Sequence, residues 1–404
     1  MSEDRSIDQY SNIVGQNAID EIKELARRLK GGTITHINTA RKGGGVAEIL
    51  KNLVPLANSV GLKARWYVMG GPPDFFDVTK SFHKALQGKE LTLSDAMKEI
   101  YLENNRRYAE ELSLDSDVVI VHDPQPAPLI SSLKREDRKF LWRCHIDIAE
   151  ADLDYWNFLK QFVDEYDALI FSLDRYIRED VRDKKFFVVS PSIDPLSDKN
   201  KHLSPDRVLK TLRRYDIDPD RPIVTQVGRF DYFKDPLGVI DCYKIVKKKV
   251  PEAQLVLVGN IPQDDPEGEV WLEKTKSKAE GLKDVHILSH GVDDLEVNCL
   301  QRGSTVILQK SLREGFGLTV TEALWKATPV VGTRTGGIPL QVIDGVTGFL
   351  VDDIEETAQR VIQLLKQRFL AKMLGLEGRK HVRRNFLITR HLRDYLKIQL
   401  EMLS

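Results

Sequence analysis

The chain has 404 residues, of which 41% are hydrophobic and 30% are charged, a balance typical of a globular protein with a sizeable core. Sixty Lys and Arg residues oppose 61 Asp and Glu residues, and this near-neutral charge argues against a nucleic-acid binder with a broad basic face. The sequence shows no signal peptide, no apolar run long enough to cross a membrane, and three widely spaced cysteines that argue against a disulfide framework and a structural zinc site. These features predict a soluble cytoplasmic protein.

Short β-branched segments alternate with segments of helical period along the first half of the chain. Strands are predicted over residues 33–39, 64–69, 117–122, 139–144, 168–172 and 186–190. Between them, helices are predicted over residues 46–59, 95–112, 153–166 and 175–181. Near-continuous apolar strands that alternate with helices are typical of parallel sheets covered on both faces.

The segment 191–207 lacks periodicity and is rich in Pro, Ser, Asp and Lys, which is typical of a linker. After it, further strands are predicted over residues 222–228, 254–259, 284–289, 304–309, 329–332 and 349–351. The tail from about Glu355 is predicted to be helical. We therefore predict two Rossmann-like, doubly wound α/β domains, over residues 1–195 and 196–404, with the last helix free to pack back on the first domain.

The position of a ligand follows from the strand ends, because ligands of open α/β sheets bind beyond the carboxyl ends of the strands. With two such domains, we expect the site in a cleft between them. The first strand leads into Gly43, Gly44 and Gly45, which allow the backbone to approach a ligand closely and leave N–H groups for an anion or hydroxyl. The turn lacks the G-x-G-x-x-G pattern and no acidic residue ends the second strand, so a nicotinamide dinucleotide site is disfavoured.

Polar side chains follow two predicted strands of the first domain. Asp123 and Gln125 come after the strand that ends at His122, while His145 and Asp147 come after the strand 139–144. The aspartates are explained either as caps of the following turns or as ligand-binding groups. Histidine at such a position can bind a sugar hydroxyl or act as a base.

Two cations follow the first strand of the second domain. Arg229 and Lys234 lie directly after this strand and before a helix that begins near Pro236. Arg can bind a phosphate bidentately and Lys adds a second point charge, so the pair suits a diphosphate. A solvated pair of surface cations is the alternative.

Glu314 precedes a glycine turn and a predicted helix whose first N–H groups and positive dipole end form an anion site. The residues of this turn and helix start are Gly315, Phe316, Gly317, Leu318 and Thr319. Glu322 lies about one turn inside the helix. Carboxylates of a glycoside hydrolase must flank one bond at roughly 5–9.5 Å, whereas these two better suit two portions of an extended ligand. An ordinary exposed helix residue is the alternative for Glu322.

In their order along the chain, these motifs resemble the retaining glycosyltransferases of the GT-B fold, family 4 type, which include glycogen and sucrose synthases. More narrowly, the chain resembles the archaeal and bacterial trehalose glycosyltransferring synthases, which are similar to the retaining trehalose phosphorylases. The segments that carry this closer resemblance are ARWYVMGGPPDFFDVTKSFHKALQG, VHDPQPAPLI, LWRCHIDI, PSIDPLSDKN and REGFGLTVTEALWK. Those synthases join the glucose of a nucleotide diphosphate glucose, such as ADP-glucose or UDP-glucose, to free glucose and make trehalose.

The resemblance implies a nucleotide-sugar-binding second domain and an acceptor-binding first domain. Arg229 and Lys234 would grip the diphosphate as it leaves. Glu314, with the N–H groups of the glycine turn, would hold the donor glucose, and Glu322 the ribose. His145 would contact the 6-hydroxyl side of the donor glucose. The residues implied for the acceptor are Asp123, Gln125 and Asp147.

In this family, retention is attributed to same-face attack without an enzyme nucleophile. The resemblance thus implies no cofactor and no obligatory metal, although Mg²⁺ is compatible with the motifs. Asp-x-Asp pairs occur at residues 115/117, 152/154 and 218/220, in turns and helix starts where capping is expected. The expected partners are a nucleotide sugar and glucose or trehalose, with no nucleic acid and no membrane, and a homodimer is left open.

Four alternatives compete with the trehalose-forming glucosyltransferase. Two of them change the physiological partner, to phosphate in a trehalose phosphorylase or to glucose 6-phosphate in a trehalose-6-phosphate-forming synthase. A GT-B-fold nucleotide-sugar epimerase and a non-catalytic sugar-nucleotide-binding module belong to other classes. The nucleotide preference and the favoured direction of reaction also stay open at this point.

Overall fold

A computed structural model of the chain describes residues 5–133, 136–260 and 266–404. The chain divides into two compact units. Unit 1 is formed by the chain up to Ser192 and again from Ile388 onward, and unit 2 extends from Ile193 to Leu387.

Unit 1 contains a parallel six-stranded sheet with the strand order β2-β1-β3-β4-β5-β6. Its strands are β1 (Thr33–Asn38), β2 (Lys63–Val68), β3 (Val118–His122), β4 (Lys139–Cys144), β5 (Ala168–Phe171) and β6 (Phe186–Val188). All residues of β3 and β5 are buried, as expected for strands that helices cover on both faces. The strand order places the ends of β1, β3 and β4 next to one another.

Up to residue 190, the helices of unit 1 lie before, between and after the strands along the chain. They are α1 (Ser11–Val14), α2 (Gln16–Arg28), α3 (Gly45–Ser59), α4 (Pro73–Ala85), α5 (Asp95–Glu111) and α6 (Leu153–Val163). Short 3₁₀ helices cover Ile7–Tyr10, Ala127–Ser131, Asp174–Tyr176 and Glu179–Val181. The helix predicted over 175–181 is therefore wrong, because Ile177 and Arg178 have extended backbone between the last two of these turns.

Unit 2 repeats this architecture with the strand order β12-β11-β10-β7-β8-β9, again all parallel. Its strands are β7 (Ile223–Val227), β8 (Gln254–Val258), β9 (Val285–Leu288), β10 (Val306–Gln309), β11 (Val330–Thr333) and β12 (Gly348–Val351). Its helices are α7 (Pro205–Arg214), α8 (Pro236–Lys249), α9 (Pro266–Ala279), α10 (Asp294–Gly303), α11 (Leu318–Trp325), α12 (Ile338–Gln341), α13 (Ile354–Lys366) and α14 (Arg368–Asn385).

The last helix, α15 (Ile388–Leu403), belongs to unit 1. Its apolar face, which includes Leu392, Tyr395 and Leu396, is buried, and the helix contacts α2 and α3. Arg390 fastens its start by donating to the carbonyl oxygen of Ser190 at 2.6 Å. Unit 2 thus ends at Leu387, and the segment 388–404, which was assigned to the second predicted domain but left free to pack back on the first, lies in unit 1.

The predicted α/β class is confirmed, since each predicted strand overlaps an observed one and both sheets are parallel. The alternation of apolar strands with amphipathic helices is a strong signal because both faces of each sheet need cover. Among the described residues, no helix has the length and apolarity that a membrane span requires.

Candidate active site

Three histidines lie in a row across the carboxyl-terminal half of the sheet in unit 1. Nδ1 of His36, on β1, lies 3.0 Å from Nε2 of His122, the last residue of β3. Nδ1 of His122 lies in turn 2.9 Å from Nε2 of His145, which directly follows β4. Because β1, β3 and β4 are neighbours in the sheet, parallel pairing brings these side chains into one hydrogen-bonded row.

Burial keeps these three imidazoles neutral. Desolvation lowers the pKa of His36 to about 3. It also holds the pKa of His122 well below its usual value, with a further contribution from the neighbouring His145. The pKa of His145 is lowered by desolvation first and by the Arg143 guanidinium second. At neutral pH, the row therefore offers hydrogen bonds without charge.

Asp123 joins the ends of two strands. Its Oδ1 accepts the backbone N–H of His145 at 2.9 Å, and its carbonyl oxygen accepts the indole N–H of Trp142 at 2.9 Å. The residue has φ +66°, a left-handed conformation that Asp tolerates better than most side chains. Burial raises the pKa of Asp123 to about 7. The carboxylate of Asp123 thus accepts a hydrogen bond from the residue that follows β4. This contact differs from capping of the turn after β3, which was one of the two alternatives for Asp123 in the sequence analysis.

Gln125 and Asp147, the other residues implied for the acceptor, differ in how their side chains are used. Oε1 of Gln125 is buried without a hydrogen-bond partner among the described residues, so it is able to accept a hydrogen bond from a bound group or water. Oδ1 of Asp147 accepts the backbone N–H of Ala149 at 3.0 Å, which is the turn-capping alternative.

The glycine turn after β1 has the backbone that only glycine adopts readily. Gly43 and Gly44 both have φ +77°, and α3 begins at Gly45. A Cβ atom at Gly43 or Gly44 would meet nothing within 4 Å. Backbone conformation, and not crowding within the protein, therefore accounts for these two glycines, and the space beside them is open to a ligand.

In unit 2, the cation that follows β7 and the glutamate that follows β10 are in direct contact. Nζ of Lys234 forms an ion pair with Oε2 of Glu314, and the side chains are only 16% and 10% exposed. Gln309 Nε2, at 3.0 Å, and Ser311 Oγ, at 3.2 Å, donate to the same carboxylate oxygen. Two groups that the resemblance assigns to different parts of a donor thus hold each other in a desolvated pair.

The side chain of Arg229 is far more exposed than that of Lys234. Its side chain is 66% exposed and approaches Oδ2 of Asp231 at 3.2 Å. Oδ1 of Asp231 accepts the backbone N–H of Lys234 at 2.9 Å, so this carboxylate organises the loop after β7. The guanidinium can therefore move to a ligand at little cost, whereas Lys234 must leave Glu314 or keep it as a partner.

The sequence analysis missed a second buried ion pair at the same sheet edge. Asp235 caps α8 by accepting the N–H of Gly238 at 2.9 Å, and its other carboxylate oxygen pairs with Nζ of Lys310, which follows β10. A Cβ atom at Gly238 would lie 2.1 Å from Oδ2 of Asp235, so the pair requires glycine there. The Asp-Pro-Leu-Gly helix start was the signal available in the sequence.

A second glycine turn fixes the loop that carries Glu314. The N–H of Gly337 donates to the carbonyl oxygen of Gly315 at 2.8 Å. A Cβ atom at Gly336 would lie 1.6 Å from the carbonyl oxygen of Glu314, so only glycine fits this contact. Gly317, with φ +83°, ends the turn, and α11 starts at Leu318. Phe316 is buried and packs edge-on against Phe386 at 5.6 Å.

Glu322 lies inside α11 and is 3% exposed, which excludes the ordinary exposed helix glutamate that the sequence left open. Gln301 Nε2 lies 3.5 Å from its Oε2. Nearby, the hydroxyl of Thr319 donates to Oε1 of Gln309 at 3.0 Å, which connects the start of α11 to the residues around Glu314. Because burying a carboxylate is costly, polar contacts such as the one from Gln301 are needed to stabilise Glu322 in this position.

The Asp-x-Asp pairs have local roles. Asp152 caps α6 by accepting the N–H groups of Asp154 at 3.0 Å and Tyr155 at 3.3 Å. Asp218 accepts the N–H of Asp220 at 3.0 Å. Among the residues that the structure describes, no cluster of three or more His, Cys, Asp or Glu side chains is arranged to hold a metal ion.

Comparison with known families identifies both units. Residues 36–178 match the family model of the trehalose synthase N-terminal domain. Residues 209–381 match the model of the glycosyl transferases group 1. The two matches fall in unit 1 and unit 2 respectively, on the segments that carry the histidine row and the ion pairs.

Whole-chain comparisons agree with these matches. The chain is 50% identical over 400 residues to a trehalose synthase of Thermococcus litoralis, covering 98% of this chain and 97% of that protein. It is 28% identical to a trehalose phosphorylase of Grifola frondosa, covering 93% of this chain and 58% of that protein. In structure, it resembles sucrose-phosphate synthase of Thermosynechococcus elongatus with a TM-score of 0.71 and 19% identity, covering 92% of this chain and 100% of that one.

Proposed function

We propose a specific reaction for this chain, which belongs to the trehalose synthases and is a glycosyltransferase of the GT-B fold. In this reaction, the enzyme transfers glucose from a nucleotide diphosphate glucose to free glucose. The product is trehalose, the anomeric configuration of the donor is retained, and the reaction is reversible. The observation that carries the proposal is the desolvated Lys234–Glu314 pair, held by Gln309 and Ser311 in a chain half identical to a trehalose synthase.

In this proposal, the donor is bound chiefly by unit 2. Lys234 and Arg229 bind the diphosphate, Glu314 accepts hydroxyl protons of the donor glucose, and Glu322 binds the ribose. Gly43–Gly45 supply N–H groups to the donor. Direct contact between Lys234 and Glu314 supports the pairing of these roles, because a diphosphate glucose presents an anion next to a hydroxyl-rich ring and so offers Lys234 another anion and Glu314 hydroxyl donors.

The acceptor in this proposal is bound by unit 1. Asp123 accepts hydroxyl protons of glucose, and the unpartnered Oε1 of Gln125 accepts another. His145 contacts the donor glucose through its 6-hydroxyl. The neutral histidines support an uncharged ligand here, since buried imidazoles without charge do not favour a phosphate.

The reaction needs no enzyme nucleophile in this scheme. The bond from the anomeric carbon to the diphosphate oxygen breaks, and the bond from the same carbon to the acceptor hydroxyl oxygen forms on the same face. The acceptor proton passes to the leaving diphosphate oxygen. Lys234 and Arg229 stabilise the negative charge that develops on that oxygen, so catalysis rests on positioning and on electrostatic stabilisation.

A trehalose phosphorylase is the second candidate, favoured by the 28% identity to the Grifola frondosa enzyme over 93% of this chain. Both functions join glucose to free glucose in the direction of synthesis, and they differ in the leaving group of the donor. In the direction of synthesis, the phosphorylase would take glucose 1-phosphate, and in the reverse direction it would need inorganic phosphate and no nucleotide.

Product analysis separates these candidates. The enzyme is incubated with UDP-glucose or ADP-glucose labelled with ¹³C at the anomeric carbon, together with glucose, phosphate or glucose 6-phosphate in separate reactions. We expect labelled α,α-trehalose and free nucleoside diphosphate with glucose alone. Trehalose 6-phosphate as the main product would move the assignment to the phosphorylated acceptor. In a further reaction, the enzyme is incubated with trehalose and inorganic phosphate without nucleotide, and cleavage to glucose and glucose 1-phosphate would establish the phosphorylase.

A further inference from the structure

The histidine row of unit 1 continues beyond the side chain assigned to the donor. Ring centroids of His145 and His122 are 5.2 Å apart, and those of His122 and His36 are 5.3 Å apart. At its inner end, the ring of His36 stacks on Tyr395 of α15 at 5.8 Å and 14°. β1 and β3 each contribute one ring, the residue that follows β4 contributes the third, and the C-terminal helix α15 covers His36.

Neutral imidazole chemistry restricts this row to two states. A neutral ring has one N–H and one lone pair, and each of the two hydrogen bonds needs one of each. If His122 donates through Nδ1 to His145, its Nε2 must accept from Nδ1 of His36. If it donates through Nε2 to His36, its Nδ1 must accept from Nε2 of His145. All three rings therefore carry hydrogen on Nδ1, or all three carry it on Nε2.

The two ends of the row select between these states. Nε2 of His36 has no hydrogen-bond partner among the described residues, and the residue is 1% exposed. An N–H group left there would have no acceptor within the described protein, which is rarer and costlier than a lone pair without a donor. At the other end, His145 is partly exposed and its Nδ1 can donate to water or a ligand. The state with hydrogen on Nδ1 of every ring satisfies both ends.

We propose that His122 and His36 are positioning residues that hold His145 in the Nδ1–H tautomer, so that His145 presents an N–H donor to a sugar hydroxyl oxygen. The inference rests on the proposed role of His145 for its functional meaning, but the tautomer itself does not depend on any substrate. His122 acts on His145 directly, and His36 acts by occupying Nε2 of His122 with its own N–H.

The tautomer is measured on the full-length protein without substrates. With histidines labelled by ¹⁵N, long-range ¹H–¹⁵N spectra distinguish protonated from unprotonated ring nitrogens, and couplings across hydrogen bonds identify which nitrogens are paired. We expect Nδ1–H in all three rings and couplings from His36 Nδ1 to His122 Nε2 and from His122 Nδ1 to His145 Nε2. Hydrogen on Nε2 of any of the three rings, or a protonated ring at neutral pH, overturns the proposal.

A variant tests the direct link. In His122→Phe, His145 loses the N–H that occupies its Nε2, so its ring nitrogens should shift toward the mixed tautomers of a solvated histidine. His391→Phe is the matched control, because His391 is equally buried and packs on Tyr395 but bonds to Ser192 outside the row. An unchanged His145 spectrum in folded His122→Phe would overturn the role of His122. The wild-type spectra decide the proposal without any variant that must fold.

Kinetics distinguish failure of this inference from failure of the proposed function. His122→Phe should lower kcat/KM for the nucleotide sugar about tenfold, which corresponds to one hydrogen bond, while the affinity for free nucleoside diphosphate stays within about twofold. If the spectra show the Nδ1–H row but His145→Phe leaves kcat/KM unchanged, the role of His145 in donor binding is wrong, and its functional consequence for His122 and His36 is wrong with it.

Discussion

The two units place opposite chemistry at the same edge of equivalent sheets. In unit 1, two buried histidines and the partly exposed His145 hydrogen-bond to one another as neutral rings. At the strand ends of unit 2, two lysines are paired with carboxylates, Lys234 with Glu314 and Lys310 with Asp235. Both regions are desolvated, so burial alone does not decide which of them is charged.

The difference lies in the partner. A buried basic group without a carboxylate loses its charge, whereas one in contact with a carboxylate keeps it. A neutral row of imidazoles suits the hydroxyl groups of a sugar, and an exchangeable ion pair suits a diphosphate. The comparison therefore predicts that changes to the lysines of unit 2 alter binding of the diphosphate, whereas changes to the histidine row of unit 1 alter binding of the sugar.

The largest effect is expected from breaking the Lys310–Asp235 pair. Lys310→Met leaves Asp235 as a buried carboxylate without its partner, which should cost about 3–5 kcal/mol in the free energy of unfolding. The measurement is denaturant unfolding of unit 2 followed by fluorescence. Lys276→Met is the control, because its pair with Glu273 is exposed on α9 and should contribute less than about 1 kcal/mol. Equal, small losses in both variants would mean that the buried pair does not stabilise unit 2.

The next effect is a pH dependence that is peculiar to unit 1. The pKa of Asp123 is raised by burial from 3.8 to about 7, so the native state binds a proton that the unfolded state releases between these values. Its contribution to stability is therefore full below about pH 4 and is lost as the pH rises through 7, by up to ~4 kcal/mol.

Asp123→Asn should flatten this part of the stability curve. The measurement is the free energy of unfolding of both proteins from pH 4 to pH 8. Asp117 gives a contrast of opposite sign, because hydrogen bonds from Thr33 lower the pKa of its carboxyl and stabilise the native state as the pH rises. Identical pH profiles for wild type and Asp123→Asn would show that Asp123 titrates normally in the native state.

The ion pair of unit 2 should matter for catalysis as well. Lys234→Ala should lower kcat/KM about 100-fold, or about 3 kcal/mol, because a desolvated cation stabilises the leaving diphosphate. Arg229→Ala should act on the same group, so the double variant should lose less than the sum of the two. Lys244→Ala is the control, since this lysine also lies on α8 but pairs with Asp241 and not with Glu314. Additive losses in the double variant would separate Arg229 from Lys234.

The smallest expected effects separate the two glutamates of unit 2. Glu322→Gln should weaken binding of free nucleoside diphosphate and of nucleotide sugar alike, by roughly 1.5–3 kcal/mol, because its proposed target is the ribose. Glu314→Gln should spare free nucleotide and weaken only the sugar-bearing donor. Competition binding against a fluorescent nucleotide measures both variants. The reverse pattern would exchange the two assignments.

Sequence patterns predicted the fold well because the strands are short, apolar and separated by helices, and their periodicity does not depend on what they pair with. The break at Ile177 and Arg178 was missed, since burial of Tyr176 and Val181 decides the backbone there. Residues directly after strands were identified as candidates because a predicted strand also gives the position of its carboxyl end, where ligands of such sheets bind.

Contacts between distant segments could not be predicted in this way. His36 lies within a strand, and its bond to His122 depends on β1 lying next to β3, which strand order alone decides. The partnership of Lys310 with Asp235 likewise depends on β10 lying next to β7. In both cases, the residues were present in the sequence but the topology that joins them was not.

The division of roles between the units is tested most directly by calorimetric titration of Lys234→Ala and His145→Phe, each with free nucleoside diphosphate and with the intact nucleotide sugar. We expect Lys234→Ala to weaken both ligands at least about tenfold, because both contain the diphosphate. We expect His145→Phe to bind the free nucleoside diphosphate as the wild type does and to lose affinity only for the nucleotide sugar. Weaker binding of the free nucleotide by His145→Phe, or unchanged binding by Lys234→Ala, would contradict the assignment of the donor 6-hydroxyl to His145 of unit 1 and of the diphosphate to Lys234 of unit 2.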